Sequence, residues 1–217
     1  MKPELVIFDL DGTLLNTLED LKEAVNVAMR LHGFPLHTSE WTRAHVGHGV
    51  PYLVREAMPE RFRKDEALSG DCLSFMLEYY SSHLDDYTHP YPGMQDLVRR
   101  LGCSGVRTAV CSNKFQDGAE RLVRKFYPTV GIVSGARESL PHKPDPAAVG
   151  LICKEAGVSP KRTVMVGDSA TDILTARGAG IACIGVSWGY GDRDSLAGAE
   201  RIADDATQLE MMLAQEA

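Results

Sequence analysis

Five short runs of uncharged residues, separated by segments with helical periodicity, constrain the fold more than any other feature of this sequence. The runs span residues 5–8, 108–111, 131–133, 163–166 and 181–184. Continuous runs of this kind predict strands that are buried on both faces. Between them, apolar residues recur at three- and four-residue spacing, which predicts amphipathic helices. Strands that alternate with helices predict an α/β fold, in which a parallel sheet is flanked by helices.

Residues 16–87 interrupt this alternation. They contain helical stripes, such as Leu18, Leu21 and Val25, but no convincing strand. Pro90 and Pro92 follow, and prolines of this kind favour a linker because they cannot continue a helix. We therefore predict an α/β domain made of residues 1–15 and 88–217. An all-helical domain of residues 16–87 would be inserted after the first strand.

Composition and charge exclude several classes of function. The chain has 217 residues, a net charge of −7 and a pI near 5.5. This charge argues against a nucleic-acid partner, so an anionic substrate must meet a local cluster of positive charge. Five cysteines without a CxxC pair are typical of reduced thiols, and no run is long enough to span a membrane. We expect a cytoplasmic protein without a membrane partner; monomer and homodimer both remain open.

Polar residues directly after each run are the candidates for chemistry, because ligands of open α/β sheets bind beyond the carboxyl ends of the strands. Asp9 and Asp11 follow the first run. Residues two apart on an extended segment point the same way, and neighbouring carboxylates repel unless a cation or a proton neutralises one of them. Taken alone, the pair could equally be an Asp-Gly turn with a capping aspartate.

The later strand ends supply complementary groups. Ser112 follows the second run, Lys143 lies in a stiff segment flanked by prolines, and Asp168 and Asp172 follow the fourth run. A hydroxyl and a lysine can bind phosphoryl oxygens, and clustered carboxylates suit Mg²⁺. Each motif alone could be a helix cap or a surface charge. Their conjunction favours a phosphoryl-transfer site that binds Mg²⁺.

These motifs resemble those of the haloacid-dehalogenase-like hydrolase superfamily. The residues that carry the resemblance are Asp9-Leu10-Asp11-Gly12-Thr13, Ser112-Asn113, Lys143, and Gly167-Asp168-Ser169 with Asp172. The resemblance covers nearly the whole predicted α/β domain. It implies a modified Rossmann sheet, with the helical insertion as a mobile cap, and an aspartate at position 11 implies the phosphatase or phosphomutase branch.

Two further segments resemble those of the phosphoglycolate phosphatases. They are residues 46–50, with the sequence VGHGV, and residues 187–191, with the sequence SWGYG. Related phosphatases share both segments in part. Asn16 departs from the aspartate that is common in this family, and we expect the change to affect helix capping or cap hinging rather than chemistry.

The resemblance also implies a role for each residue. Asp9 would be the nucleophile that becomes an aspartyl-phosphate, and Asp11 the general acid and base. Ser112 and Lys143 would stabilise the phosphoryl oxygens. The expected metal ligands are Asp9, Asp11 (through its backbone carbonyl), Asp168 and Asp172; the expected substrate-binding residues are Thr13, Asn113 and, in the cap, Arg43 and His48. A loop that connects two helices would explain the glycines beside His48 equally well.

Three functions remain open from the sequence. The first is a Mg²⁺-dependent phosphatase of a small phosphorylated metabolite, for which the resemblance implies 2-phosphoglycolate. The second is another phosphohydrolase or phosphotransferase of the family, such as a pyrophosphatase, a nucleotide or sugar-phosphate phosphatase, or a phosphoglucomutase. The third is a non-catalytic binding module, which the presence of both the nucleophile and the metal acids disfavours.

Overall fold

The structure, a computed structural model, describes residues 2–215. The strands are β1 Leu5–Phe8, β2 Leu15–Asn16, β3 His89–Pro90, β4 Arg107–Phe115, β5 Ile132–Ala136, β6 Thr163–Gly167, β7 Ala182–Val186 and β8 Arg201–Ala203. The α-helices are α1 Leu18–Leu31, α2 Ser39–His45, α3 Val50–Ala57, α4 Glu66–Ser82, α5 Met94–Cys103, α6 Gln116–Phe126, α7 Ala147–Ala156, α8 Ala170–Ala179 and α9 Ala206–Ala214. Three 3₁₀ turns span Glu60–Phe62, Pro160–Arg162 and Arg193–Leu196.

Six of the strands form one parallel sheet in the order β5-β4-β1-β6-β7-β8. The strand β1 lies inside the sheet, where Leu5 pairs with Arg107 of β4 and with Thr163 of β6. All parallel neighbours end at the same edge, so the last residues of β4 and the residues that follow β1, β5 and β6 lie close together. The prediction of an α/β fold with a parallel sheet flanked by helices is confirmed.

Burial of both sheet faces explains the uncharged runs. All four residues of β1 are fully buried. Leu5 and Ile7 belong to a cluster that includes Ile152 of α7 and Ile173 of α8, so these two helices cover one face. Val6 and Phe8 alternate to the opposite face. Each apolar side chain of this size contributes about 1.5–3 kcal/mol when it is fully buried.

The chain divides into two compact units, residues 2–16 with 90–215, and residues 17–89. The predicted boundaries lay between residues 15 and 16 and between 87 and 88. Unit 17–89 is built from α1 to α4, and its core includes Val25, Met76 and Tyr80. On α4 the buried residues Cys72, Met76 and Tyr80 recur at four-residue spacing, so they lie on one face of the helix.

A buried carboxylate, that of Asp20, links the two ends of unit 17–89 by hydrogen bonds. Asp20, on the first turn of α1, accepts hydrogen bonds from the backbone N–H of Tyr87 and Thr88 and from the Thr88 hydroxyl, the shortest at 2.6 Å. Asp20 therefore joins the first turn of the unit to its last residues. None of the helices within residues 2–215 combines the length and hydropathy needed to cross a membrane.

Candidate active site

Asp9 is the first residue after β1 and lies at the carboxyl edge of the sheet. Its backbone N–H continues the sheet ladder by donating to the Val166 carbonyl at 2.9 Å. Its Oδ1 atom accepts a hydrogen bond from the Leu10 N–H at 2.7 Å. Only 8% of the residue is exposed. A carboxylate this buried needs positive partners.

Lys143 supplies one of these partners. Its Nζ lies 2.9 Å from Asp9 Oδ1 and 2.6 Å from Asp172 Oδ1. The loop that carries it is pinned by Asn113, which donates to the Lys143 carbonyl at 3.0 Å and accepts from the Lys143 N–H at 2.8 Å. The lysine is therefore a buried, fixed cation between two carboxylates and not a solvated surface charge.

Asp172 sits in the first turn of α8 and is fully buried. Its Oδ2 atom accepts from the backbone N–H of Ser169 at 3.2 Å and from its hydroxyl at 2.7 Å. Ser169 rather than Asp168 is thus the residue that caps this helix. One oxygen of Asp172 stabilises the helix end, and the other orients Lys143.

Asp168 follows β6 and is held at both oxygens. Its Oδ1 accepts from the Thr13 hydroxyl at 3.1 Å, and its Oδ2 accepts from the Tyr190 N–H at 2.7 Å. The Gly191 N–H also approaches Oδ2, at 3.4 Å. Hydrogen bonds of this kind fix the direction in which a carboxylate presents its remaining lone pairs.

Two glycines, at positions 12 and 189, provide the space that the Asp168 side chain occupies. Gly12 has a φ of +87°, and a Cβ atom at this residue or at Gly189 would overlap the Asp168 carboxylate. Gly189 would also meet the Gly12 carbonyl. Only residues without a side chain can therefore lie on both sides of this carboxylate.

The site carries more buried negative charge than its lysine can neutralise. Burial raises the pKa of Asp9 well above its ordinary value; Lys143 lowers this pKa, while Asp172 and Asp168 raise it. Burial and the neighbouring charge of Asp172 raise the pKa of Asp168 to about 6, although the hydrogen bonds from Tyr190 and Thr13 lower it. Burial lowers the pKa of Lys143, but Asp172 and Asp9 outweigh it and hold that pKa above its ordinary value. A further cation would stabilise the charged carboxylates.

The donor set fits a hard divalent cation. One carboxylate oxygen from each of Asp9, Asp168 and Asp172 lies within 4.8 Å of the others, and all three residues are buried. Oxygen donors of this type are those that Mg²⁺ prefers. The hydrogen bonds and ion pair of Asp9 described above are all at Oδ1, which leaves Oδ2 for such an ion. Both oxygens of Asp168 and of Asp172 already accept hydrogen bonds, so these residues would bind it through a remaining lone pair.

Asp11 lies apart from this cluster and pairs with a second buried lysine. The Lys114 ammonium lies 3.0 Å from Asp11 Oδ1 and 3.3 Å from Oδ2. The backbone N–H of Lys114 also donates to the Ser112 hydroxyl oxygen at 3.2 Å. Ser112 caps no helix, since α6 begins after Phe115.

The remaining predicted residues lie in unit 17–89. Arg43 is on α2, and His48 is in the turn that joins α2 to α3, with its ring edge-on to Tyr52 at 4.8 Å. Both side chains are exposed. The role of both residues in binding substrate remains a prediction. The same holds for Thr13, whose hydroxyl bonds Asp168, and for Asn113, whose amide bonds the backbone of Lys143.

Sequence reasoning missed Lys114 and the donors of residues 188–191. Lys114 directly follows Ser112 and Asn113 but looks like an ordinary surface lysine until its burial is known. In the segment 188–191, the backbone N–H groups of Tyr190 and Gly191 hold Asp168, and the indole of Trp188 donates to the Thr13 carbonyl at 3.1 Å. The alternation of glycines with aromatic residues was the available signal.

Comparison with known proteins identifies the class. The family model described as haloacid dehalogenase-like hydrolase matches residues 6–186, and the chain belongs to this family. It is similar to the phosphoglycolate phosphatase of Pseudomonas putida, with 38% identity over an aligned length of 198; the match covers 87% of this chain and 71% of the relative. The phosphoglycolate phosphatase of Chromobacterium violaceum is 36% identical over an aligned length of 216; the match covers 94% of this chain and 93% of the relative.

Solved structures agree with this assignment. A Lactobacillus delbrueckii subsp. bulgaricus protein described as a candidate phosphoglycolate phosphatase superposes with a TM-score of 0.92 and 32% identity. The match covers 98% of this chain and 99% of that chain. The chain is therefore a phosphoric monoester hydrolase of the phosphoglycolate phosphatase-like branch.

Proposed function

We propose that this chain is a Mg²⁺-dependent phosphatase that hydrolyses 2-phosphoglycolate through an aspartyl-phosphate on Asp9. The observation that carries the proposal is the position of the Asp9 carboxylate, 2.9 Å from the Lys143 ammonium and beside Asp168. A nucleophilic carboxylate needs a cation that keeps it ionised and that binds the phosphoryl oxygens it attacks. Lys143 is positioned for both tasks.

In the first half-reaction, a carboxylate oxygen of Asp9 attacks phosphorus in line with the leaving oxygen. The new O–P bond forms as the bond between phosphorus and the glycolate oxygen breaks. Asp11 donates its proton to that departing oxygen, which leaves as glycolate. Lys143 and the Ser112 hydroxyl bind the equatorial phosphoryl oxygens, where negative charge accumulates.

In the second half-reaction, water attacks the phosphorus of the aspartyl-phosphate. Asp11, now ionised, accepts a proton from this water, and the acyl–phosphate bond breaks. Inorganic phosphate leaves and Asp9 is regenerated as a carboxylate. One residue thus serves as acid and then as base, which returns the site to its starting protonation state.

Mg²⁺ would be held by the carboxylates of Asp9 and Asp168 and by the backbone carbonyl of Asp11. The carboxylate of Asp172 would lie nearby. When bound, it neutralises negative charge on the phosphoryl group and on the clustered carboxylates. The raised pKa values of Asp9 and Asp168 support this requirement, because the ionised nucleophile is unfavourable without an added cation.

The proposed substrate rests on the relatives named as phosphoglycolate phosphatases at 36–38% identity. Arg43 and His48 are the proposed partners of the substrate carboxylate. We also propose a cytoplasmic location, since all five cysteines are free thiols and four of them are buried. Reduced, buried cysteines are typical of that compartment.

A panel of phosphorylated compounds assayed with and without Mg²⁺ tests this proposal. It should include 2-phosphoglycolate, a hexose phosphate, a nucleoside monophosphate and pyrophosphate. We expect the highest kcat/KM for 2-phosphoglycolate and loss of activity when Mg²⁺ is chelated. A clear preference for a hexose phosphate or for pyrophosphate would assign a different substrate, and full activity in a chelator would refute the metal requirement.

A further inference from the structure

We propose that Lys114 is a positioning residue for the Asp11 acid–base group. The inference rests on the proposed function, because it assumes that Asp11 exchanges protons with the leaving group. It assigns a purpose to a second buried lysine, which is separate from the lysine that contacts the nucleophile.

The contact between the two residues is close and almost fully enclosed. Both carboxylate oxygens of Asp11 lie within hydrogen-bonding distance of the Lys114 ammonium, at 3.0 and 3.3 Å. The Lys114 side chain is 1% exposed and that of Asp11 is 14% exposed. Surface ion pairs are weak and mobile, whereas a pair this buried holds a defined geometry.

The chain fixes Lys114 itself through its neighbours on β4. The backbone N–H of Lys114 bonds the Ser112 hydroxyl oxygen, and the Asn113 amide is bonded at both ends to the backbone of Lys143. Three consecutive residues therefore connect β4 to Asp11, to the Lys143 loop and to the proposed phosphoryl site. A change of the Lys114 side chain leaves the bonds of its backbone and of Asn113 in place. It should therefore move Asp11 without moving Asp9.

The orientation of Asp11 matters because a general acid must lie within hydrogen-bonding reach of the oxygen that receives its proton. Asp11 follows a strand end and precedes Gly12, whose φ of +87° turns the chain sharply away. A carboxylate at such a turn has several staggered rotamers available. The bond to Lys114 selects one of them.

The test replaces Lys114 by methionine, which keeps the unbranched stem and removes the charge. We expect Lys114→Met to lower kcat/KM for 2-phosphoglycolate by about 10²-fold, a loss that a displacement of about 1 Å is able to cause. For p-nitrophenyl phosphate, whose phenolate departs with little need of a proton, the loss should be no more than about threefold. The ratio kcat/KM reports on the steps up to departure of the leaving group, so hydrolysis of the phosphoenzyme does not obscure the comparison.

A double-mutant cycle separates positioning from a general structural effect. Asp11→Asn should show the same dependence on leaving group, and adding Lys114→Met to it should cost little more, because both changes remove the same function. Lys154→Met, at an exposed position of α7, is the matched control and should leave both substrates unaffected. The Mg²⁺ affinity of Lys114→Met, measured by calorimetry, should equal that of the wild type.

Equal losses for both substrates, multiplicative effects in the cycle, or unchanged activity of Lys114→Met would each overturn the inference. A crystal structure of Lys114→Met supplies a measurement that does not depend on turnover: Asp11 should change rotamer, and an unmoved Asp11 would also overturn it. If Lys114→Met does not fold, Lys114→Gln undergoes the same measurements. Failure of the proposed function is recognised separately, as absent Mg²⁺-dependent phosphatase activity in the wild type or normal activity in Asp9→Asn.

Discussion

At the scale of single residues, Asp168 shows how neighbouring donors hold a buried carboxylate in one orientation, as the proposed metal site requires. The Thr13 hydroxyl and the Tyr190 backbone N–H each donate a hydrogen bond to one of its two carboxylate oxygens. Glycines at positions 12 and 189 leave space for the side chain. Mutation of the residues that orient a metal-binding side chain typically lowers metal affinity or activity by about 10- to 100-fold. The segment 188–191 thus gains a physical role through its backbone.

Gly189→Ala tests that role. A methyl group here would overlap the Asp168 side chain and the Gly12 carbonyl, so the carboxylate must shift. We expect the Mg²⁺ dissociation constant to rise by about 10- to 100-fold, measured by calorimetry. Gly150→Ala is the control, because a Cβ atom there meets no atom within 4 Å. Equal affinity of Gly189→Ala and wild type would show that the segment does not position Asp168.

Single residues were also where prediction from sequence met its limit. Asp9 and Asp168 could be singled out because each ends an uncharged run abruptly. Lys114 could not, because its burial depends on Asp11, which lies 103 positions earlier in the chain. For the amide donors of residues 190 and 191, the only local signal is the alternation of glycines with aromatic residues, and it does not show where a backbone N–H points. Long-range pairing and backbone direction are set by tertiary structure, which no local pattern encodes.

At the scale of secondary-structure elements, the sheet brings the site together. β1, β4 and β6 are parallel neighbours, so Asp9, Ser112 and Asp168 emerge at one edge. The runs predicted these strands because strands buried on both faces exclude charge. β8 was not predicted, because it has only three residues and begins with the charged Arg201. It lies at the edge of the sheet, where a strand has one neighbour and a charged residue is tolerated.

Asp20 allows a prediction about unit 17–89. Asp20→Ala would leave the buried backbone N–H of Thr88 without its acceptor, so we expect the free energy of unfolding of that unit to fall by about 1–3 kcal/mol. Hydrogen exchange of the Tyr87 and Thr88 amides and denaturant unfolding measure the change. Glu78→Ala, at an exposed position of α4, serves as the comparison. Unaltered exchange at Thr88 in Asp20→Ala would contradict the assigned contact.

At the scale of the whole molecule, three buried carboxylates in a chain of net charge −7 link stability to pH and, under the proposed function, to a bound metal ion. The pKa of Asp168 is raised by burial from 3.8 to about 6. Between these values the folded state holds a proton that the unfolded state has lost. The contribution of this group to stability therefore decreases as pH rises through that range. A bound divalent cation would offset the decrease.

Thermal unfolding with and without Mg²⁺ checks this linkage. At a concentration about 100 times the dissociation constant, Mg²⁺ should raise Tm by about 5–10 °C at pH 7.5. The increase should be smaller at pH 5, where the carboxyl groups retain protons that compete with the ion. Asp168→Asn should lose most of the increase at pH 7.5. A Tm shift that is independent of pH, or that persists in Asp168→Asn, would contradict a metal site at these residues.

The most direct test of the central claim is to trap the phosphoryl group on Asp9. Wild-type protein is mixed with Mg²⁺ and ³²P-labelled 2-phosphoglycolate, quenched within the first turnover, digested and analysed for labelled peptides. We predict label on the peptide that contains Asp9, and neither label nor turnover in Asp9→Asn, which should remain folded because the change removes a buried charge. Turnover by Asp9→Asn, or label on a peptide without Asp9, would contradict the account.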